Sequence, residues 1–243
     1  MGADYIATGH YCNISHENGV NYLLRAEDEN KDQTYFLNQV RQEQLNDVLF
    51  PLGNMVKTDV RDYARSHNIP VAEKKDSTGI CFIGERKFRE FLAKYIPMKD
   101  GEIVTTDGKV VGKHMGVYYY TIGQRRGLGI GGSKDGTGER WFVLDKDVIN
   151  NRLIVSQGED DVLFKKELVT EGFNFITRPE KDEFDCLVRI KHRQPLEKAR
   201  AVVEGEDVHF YFENPQRAIA PGQYAVAYMD RICLGGGVIN RSL

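Results

Sequence analysis

Cys81 is the residue best placed to do chemistry. It stands in Lys74-Lys75-Asp76-Ser77-Thr78-Gly79-Ile80-Cys81-Phe82-Ile83-Gly84-Glu85-Arg86-Lys87, with two lysines before it and a basic stretch after it. Nearby cations and the positive end of a helix favour the thiolate, which is the reactive form of cysteine. Phe88, Phe91, Leu92 and Tyr95 recur at i, i+3, i+4 and i+7 and predict a helix beginning just after the cysteine. The same pattern also suits a small apolar side chain buried beneath that helix, and these residues alone leave both readings open. Cys12, Cys186 and Cys233 lie far apart, with no C-x-x-C and no cysteine/histidine spacing suited to structural zinc, so no metal site is expected. Free thiols in a cytosolic protein fit this usage best.

The elements that must position such a thiol are mixed at first. Ala3 to Thr8 reads as a short buried strand ending in Thr8-Gly9-His10-Tyr11, and ligands of open α/β sheets bind at such ends. Val56, Val60, Tyr63 and Ala64 predict a helix over 56–66, stopped by Asn68-Ile69-Pro70. Near Pro97 the character changes to short β-prone runs separated by Lys99-Asp100-Gly101 and Thr106-Asp107-Gly108-Lys109. Val117 to Ile122 reads as a strand feeding a glycine- and arginine-rich loop, 123–132. That loop formally contains G-x-G-x-x-G, but no helical pattern follows it and Trp141 to Leu144 reads as another strand, so a dinucleotide site is rejected. From Lys165 on, six β-type runs predict a small antiparallel barrel: 169–176, 185–192, 199–204, 208–213, 223–228 and 231–239. Phe184, Cys186, Val188 and Ile190 alternate there with Asp185, Arg189 and Lys191, which puts Cys186 inside. Gly235-Gly236-Gly237 after Cys233 predicts a close backbone approach or a bend.

At 243 residues, two or three domains are expected. Hydrophobic residues at 41% and charged ones at 28% describe an ordinary globular chain, with no run resembling a membrane span. The start, Met1-Gly2-Ala3-Asp4-Tyr5, lacks the pattern of a signal peptide, so a cytoplasmic location is expected. A formal net charge of -3 means that any nucleic acid must be held by a local basic surface.

Five separated motifs agree on one family. They are Ala3-Asp4-Tyr5-Ile6-Ala7-Thr8-Gly9-His10-Tyr11, Lys31-Asp32-Gln33-Thr34-Tyr35-Phe36-Leu37, the Cys81 segment, Tyr120-Thr121-Ile122-Gly123-Gln124-Arg125-Arg126-Gly127-Leu128, and Ala220-Pro221-Gly222-Gln223. Together they closely resemble the bacterial tRNA-specific 2-thiouridylases over almost the whole chain. The resemblance implies an ATP-dependent tRNA sulfurtransferase that replaces the C2 oxygen of the wobble uridine through an adenylated uridine and a cysteine persulfide. It implies a multidomain α/β plus β architecture: a remnant of a Rossmann-like pyrophosphate-loop nucleotide-binding domain (1–95), a central β-rich domain (96–164) and a C-terminal antiparallel β-barrel that binds tRNA (165–243).

Residue by residue, the resemblance places the persulfide on Cys81, ATP at Gly9, and tRNA at His10, at Lys31, Asp32 and Gln33, at Lys191 and His192, and, near the substrate base, at Gln223. The implied cofactor is ATP with Mg2+, and the implied partners are tRNA and a sulfur-donor protein. The chain departs from the family in having no S-G-G-x-D-S phosphate loop and no match to the family's second catalytic cysteine. It therefore resembles the C-terminal two thirds of the enzyme, and is expected to hold no cofactor tightly and to be inactive alone. An RNA-binding β module without a catalytic role is the alternative, and a small-molecule ATP pyrophosphatase a more distant one that the β-rich tail weighs against.

Overall fold

The computed structural model describes residues 2–70, 72–73, 88–131, 138–158 and 160–243. They fall into two compact units, one drawn from Met1–Lys75, Lys166–Asn214 and Pro221–Leu243, the other from Asp76–Lys165 and Pro215–Ala220.

The first unit opens with β1 (Ile6–Ala7), the hairpin β2 (Cys12–Glu17) and β3 (Val20–Arg25), then β4 (Val48–Leu49) and helix α1 (Lys57–Ser66). Asn18 and Gly19 both take positive φ, 52° and 79°, the turn that matches the twist of a two-residue hairpin. β1 runs parallel to β4, with Ile6 opposite Val48 and Ala7 opposite Leu49. The expected buried strand over 3–8 is thus a two-residue strand, and it is exposed. Among the described residues β4 is its one bonded neighbour, and Ile6 stays 65% exposed. α1 forms where predicted, and Asn68 at φ 53° ends it in the left-handed region that asparagine tolerates.

The second unit holds a short helix α2 (Phe88–Leu92) and the strands β5 (Gly101–Thr105), β6 (Val110–His114), β7 (Trp141–Asp147) and β8 (Arg152–Gln157), ordered β6-β5-β8-β7. Ile103, Val143, Leu153 and Val155 are fully buried at its centre, with Tyr120 and Leu128 packed beside them. Two expectations are corrected here. α2 is shorter than the helical spacing implied, and Tyr95 lies beyond it, 71% exposed. Val117 to Ile122 is no strand but a 3-10 turn, Val117–Tyr119, because Gly116 enters at φ 140° and its N–H is taken by the His114 ring at 2.9 Å. The loop after Gly123 leads into β7, which follows it as a strand.

The remaining strands return to the first unit: β9 (Phe164–Phe175), β10 (Glu183–Arg189), β11 (Glu197–Glu204), β12 (Asp207–Arg217), β13 (Tyr224–Met229) and β14 (Ile232–Ser242). Their order β13-β10-β11-β12-β9-β14 closes on itself because β13 also pairs with β14, so the predicted six-stranded barrel is present and closed. Closure removes the exposed edges that an open sheet presents. The β2–β3 hairpin is added to the outer side of β14, with Leu24 opposite Ile232 and the Arg25 N–H donating to the Arg231 carbonyl at 2.8 Å.

The segment between β3 and β4 is laid on the barrel by hydrogen bonds. Tyr35 donates its hydroxyl to the Tyr224 carbonyl at 3.1 Å, Gln39 its amide to Gly236 at 2.8 Å, and Asn174 its amide to Asn38 and Val40 at 3.0 and 2.9 Å. Cys12, Leu23, Tyr35, Leu45, Val226, Tyr228 and Cys233 form one buried cluster beneath it. Burying each large apolar side chain of this kind contributes about 1.5–3 kcal/mol. The glycine run makes the close approach expected of it. A Cβ on Gly236 would come within 2.6 Å of Asn38 Oδ1, and one on Gly235, at φ 131°, within 1.9 Å of the Asn174 carbonyl oxygen.

Candidate nucleic-acid interface

Asp32 is 1% exposed and sits at the centre of this contact. Its Oδ1 accepts from the N–H of Ala26 at 3.3 Å and of Thr34 at 3.4 Å, and its Oδ2 accepts from the Thr34 hydroxyl at 2.9 Å and from Arg189 Nη1 at 3.1 Å. Arg189 lies at the end of β10 with its guanidinium carbon 5.8 Å from the centre of the Tyr228 ring. Thr34 Oγ1 is 3.2 Å from the Tyr228 hydroxyl, whose pKa burial drives well above its ordinary value. Strand alternation alone would place Arg189 outward in solvent. The Arg25–Leu37 segment covers that face and buries it, so the cation needs the carboxylate opposite.

Lys31 flanks this pair on a cleft of about 640 Å³ whose lining includes Arg25, Arg189, Arg193, Gln194 and Leu196. The cleft's one carboxylate, Glu29, is paired with Arg25 at 2.9 Å. Of the residues singled out in the sequence, Lys31 alone lines it. Gln33 is used differently: its Oε1 accepts from the Tyr11 N–H and its own N–H donates to the Tyr11 carbonyl, both at 2.8 Å, which ties the Lys31–Gln33 loop to the end of Thr8-Gly9-His10-Tyr11. His10 bonds Thr8 Oγ1 through Nδ1 at 2.9 Å and meets Phe50 edge-on. Gly9 is exposed, and among the described residues a Cβ there would meet only Leu52 Cδ1, at 4.0 Å.

Beyond β10, Lys191 accepts the Gln194 N–H at 3.1 Å, and within this turn Arg193 takes a positive φ of 67°. His192 stacks obliquely on Phe36, centroids 4.5 Å apart, with Tyr35 at 6.1 Å. Burial, reinforced by the charges of Arg193 and Arg189, pushes its pKa below the ordinary imidazole value and favours the neutral ring. Gln223 Oε1 is buried without a hydrogen-bond partner among the described residues, while its main-chain carbonyl accepts from Ile239 at 2.7 Å. Phe36 stood in a quoted motif and Arg189 at a basic strand end, but neither they nor Arg25 were among the expected site residues. A charged residue at a strand end and an aromatic in a lysine-containing motif were the only signals.

Cys81 and its flanking lysines lie outside the described residues. The other three thiols are buried, and burial raises all of them, Cys186 and Cys233 to about 12, which favours the protonated thiol over the reactive thiolate.

A HUP segment followed by two barrel-type domains on one chain, with a cationic cleft in the first unit, defines the class. Residues 1–85 match the family described as tRNA methyl transferase HUP domain, residues 89–157 the tRNA methyl transferase PRC-barrel domain, and residues 165–239 the aminomethyltransferase beta-barrel domain. The chain is 49% identical over 99% of its length to the tRNA-specific 2-thiouridylase MnmA of Oceanobacillus iheyensis, covering 65% of that protein. It is 48% identical over 100% of its length to the proteins of that name from Streptococcus thermophilus and Alkaliphilus oremlandii, covering 66% and 67% of them. The chain belongs to the tRNA-specific 2-thiouridylase family, and spans about two thirds of the length of these curated relatives.

Proposed function

We propose that this chain supplies the sulfur-carrying cysteine and much of the tRNA-holding surface of an enzyme that 2-thiolates the wobble uridine of tRNA. The observation that carries the reading is identity of 48% over the entire chain to relatives named for that activity. The cleft of four cations supports it, since a chain with net charge -3 must hold RNA locally. The matching family descriptions speak of methyl transfer. A cysteine that accepts and passes on sulfane sulfur separates thiolation from that reading.

In this proposal Cys81 bears the persulfide, whose outer sulfur bonds to C2 of the uridine as the C2 oxygen departs; a second thiol of the intact enzyme then attacks Cys81 Sγ, forming a disulfide, breaking the S–S bond and leaving the sulfur on C2. ATP, when bound, turns the C2 oxygen into a leaving group. Gly9 lets the nucleotide approach the backbone, and the parallel β1–β4 pair supports reading 1–95 as part of a nucleotide-binding α/β sheet. No S-G-G-x-D-S occurs in the 243 residues to cradle the triphosphate, so the present chain fits the nucleoside end of ATP rather than its phosphates. Among the described residues no cluster of His, Cys, Asp or Glu could hold a metal, and Mg2+ is taken to arrive on the phosphates.

Lys31, Lys191, His10, His192 and Gln223 meet tRNA, whereas Asp32 and Gln33 act through the positions they impose on their neighbours. A sulfur-donor protein loads Cys81, and the setting is cytoplasmic. Among the described residues no helix is long and apolar enough to cross a membrane. Alone, the chain does not turn over.

Thiol titration of the native chain tests the catalytic part. One of the four cysteines should react rapidly, and replacing Cys81 with serine should abolish that reaction. Incubation with a cysteine desulfurase and cysteine should add sulfane to the same residue, read by intact mass. If Cys81 reacts no faster than Cys186 and Cys233 and takes up no sulfur, the RNA-binding module without catalysis is the better account.

A further inference from the structure

We infer that Phe36 and His192 form a stacking platform for a single unpaired RNA base, and that Arg193 and Arg25 hold the phosphate beside that base in the neighbouring cleft. The inference rests on the RNA reading above and adds to it a subsite for an unpaired nucleotide.

Phe36 is 57% exposed, although Thr34 and Tyr35 before it on the same turn are buried. Its ring is fixed on two sides, obliquely by His192 at 4.5 Å and edge-on by Tyr35 at 5.6 Å. A large aromatic held rigid yet open to solvent loses little freedom when a flat ring settles on it. His192 Nδ1 is buried without a hydrogen-bond partner among the described residues. Directly after it, Arg193 occupies the left-handed region at φ 67°, which costs a non-glycine residue about 1 kcal/mol or more, and the surrounding turn holds it there. Arg193 is exposed and makes no ion pair among the described residues, unlike Arg25 and Arg189.

The cleft that Arg193 enters contains a second indication of an anion. The Arg189 side chain is only 7% exposed, and its Nε has no hydrogen-bond partner among the described residues while Nη1 is spent on Asp32. With Arg25 and Arg189 balanced by Glu29 and Asp32, Lys31 and Arg193 leave the cleft with excess positive charge that suits a phosphodiester, and an adjoining aromatic shelf suits the base attached to it. Because every base has a stackable face, such a platform distinguishes unpaired from paired nucleotides rather than one base from another. An acidic peptide would satisfy the cations but leave the shelf unused.

The test uses the full chain and two RNAs, a hairpin with 2-aminopurine in its unpaired loop and a fully paired duplex of equal length. The wild type should bind the hairpin more tightly and quench the 2-aminopurine. F36A should weaken hairpin binding roughly tenfold and abolish the quenching while leaving duplex affinity unchanged, and F36W should retain both. R193Q should weaken both RNAs and lower the slope of log Kd against log salt by about one. An F36A protein with wild-type hairpin affinity and quenching overturns the platform alone, as does equal weakening of hairpin and duplex. Competition of the hairpin by an acidic peptide at equal concentration also overturns it. Failure of the wild type to bind either RNA overturns the platform together with the RNA reading.

Discussion

Replacing Asp32 with asparagine separates two roles for that residue, direct contact with tRNA and support of the surface that makes contact. The carboxylate takes hydrogen bonds from the Ala26 and Thr34 amides, the Thr34 hydroxyl and Arg189 Nη1, all in a site where Asp32 is 1% exposed. Asparagine can still accept from some of these donors, but it carries no charge, and its own N–H2 group faces other donors. Removing one partner of a buried ion pair costs about 3–5 kcal/mol, because the remaining guanidinium stays desolvated and unpaired. At about 1.4 kcal/mol per tenfold, the Ala26 and Thr34 amides should exchange with solvent roughly two to almost four orders of magnitude faster in D32N.

Hydrogen exchange resolved by mass spectrometry reads this locally. The double variant D32N/R189M should recover much of the loss, since no unpaired charge remains. The reasoning is refuted if D32N keeps wild-type exchange at both amides while tRNA affinity falls. Asp32 would then be a contact residue after all.

Three further outcomes follow from geometry. Gly236→Ala should destabilise the first unit by about 1–3 kcal/mol, because the new methyl meets Asn38 Oδ1 and the Ala225 carbonyl, both under 3.0 Å; thermal unfolding reads it, and an unchanged midpoint contradicts the close approach. His192, its pKa lowered from 6.5 in the fold, binds fewer protons than in the unfolded chain, so its contribution is full above about 6.5 and is lost as pH falls through the folded pKa. The NMR midpoint of His192 should lie below 6.5, and H192F should flatten the acid-side loss of stability; a midpoint above 6.5 contradicts the burial argument. The Asn18-Gly19 turn, with φ of 52° and 79°, should tolerate Asn18→Gly but lose about 1 kcal/mol with Gly19→Val, a β-branched residue strained at positive φ, as denaturant titration would show.

The barrel was legible because each of its strands carries its own β pattern, and the predicted runs overlap all six observed strands. The α1 helix was legible for the same local reason. What could not be read was contact between distant segments. Arg189 reads as a solvated charge in Asp185 to His192, and only the return of residues 25–37 across that face turns it into half of a buried pair. The Asn18-Gly19 dipeptide is a strong hairpin signal that sequence reasoning passed over, and it lies in the turn between β2 and β3. The tyrosine-rich stretch at 117–122 has strand propensity, yet Gly116 and the His114 ring impose a 3-10 turn, so tertiary context overrides composition there. Of the candidate site, what could not be read was burial: whether a polar side chain such as Asp32 stays open to solvent or closes on its own neighbours depends on the segment that returns across it.

The union of β3 with β14 has a consequence for how the polypeptide is made. Residues around 24 must find residues around 232, so the hairpin has no wall to join until β14 has been synthesised. Leu23, fully buried in the finished protein, is solvent-facing throughout that interval. Cutting the gene at the start of the barrel would divide one cooperative body into two incomplete ones: a hairpin lacking its neighbour and a barrel with β14 stripped of an outer partner.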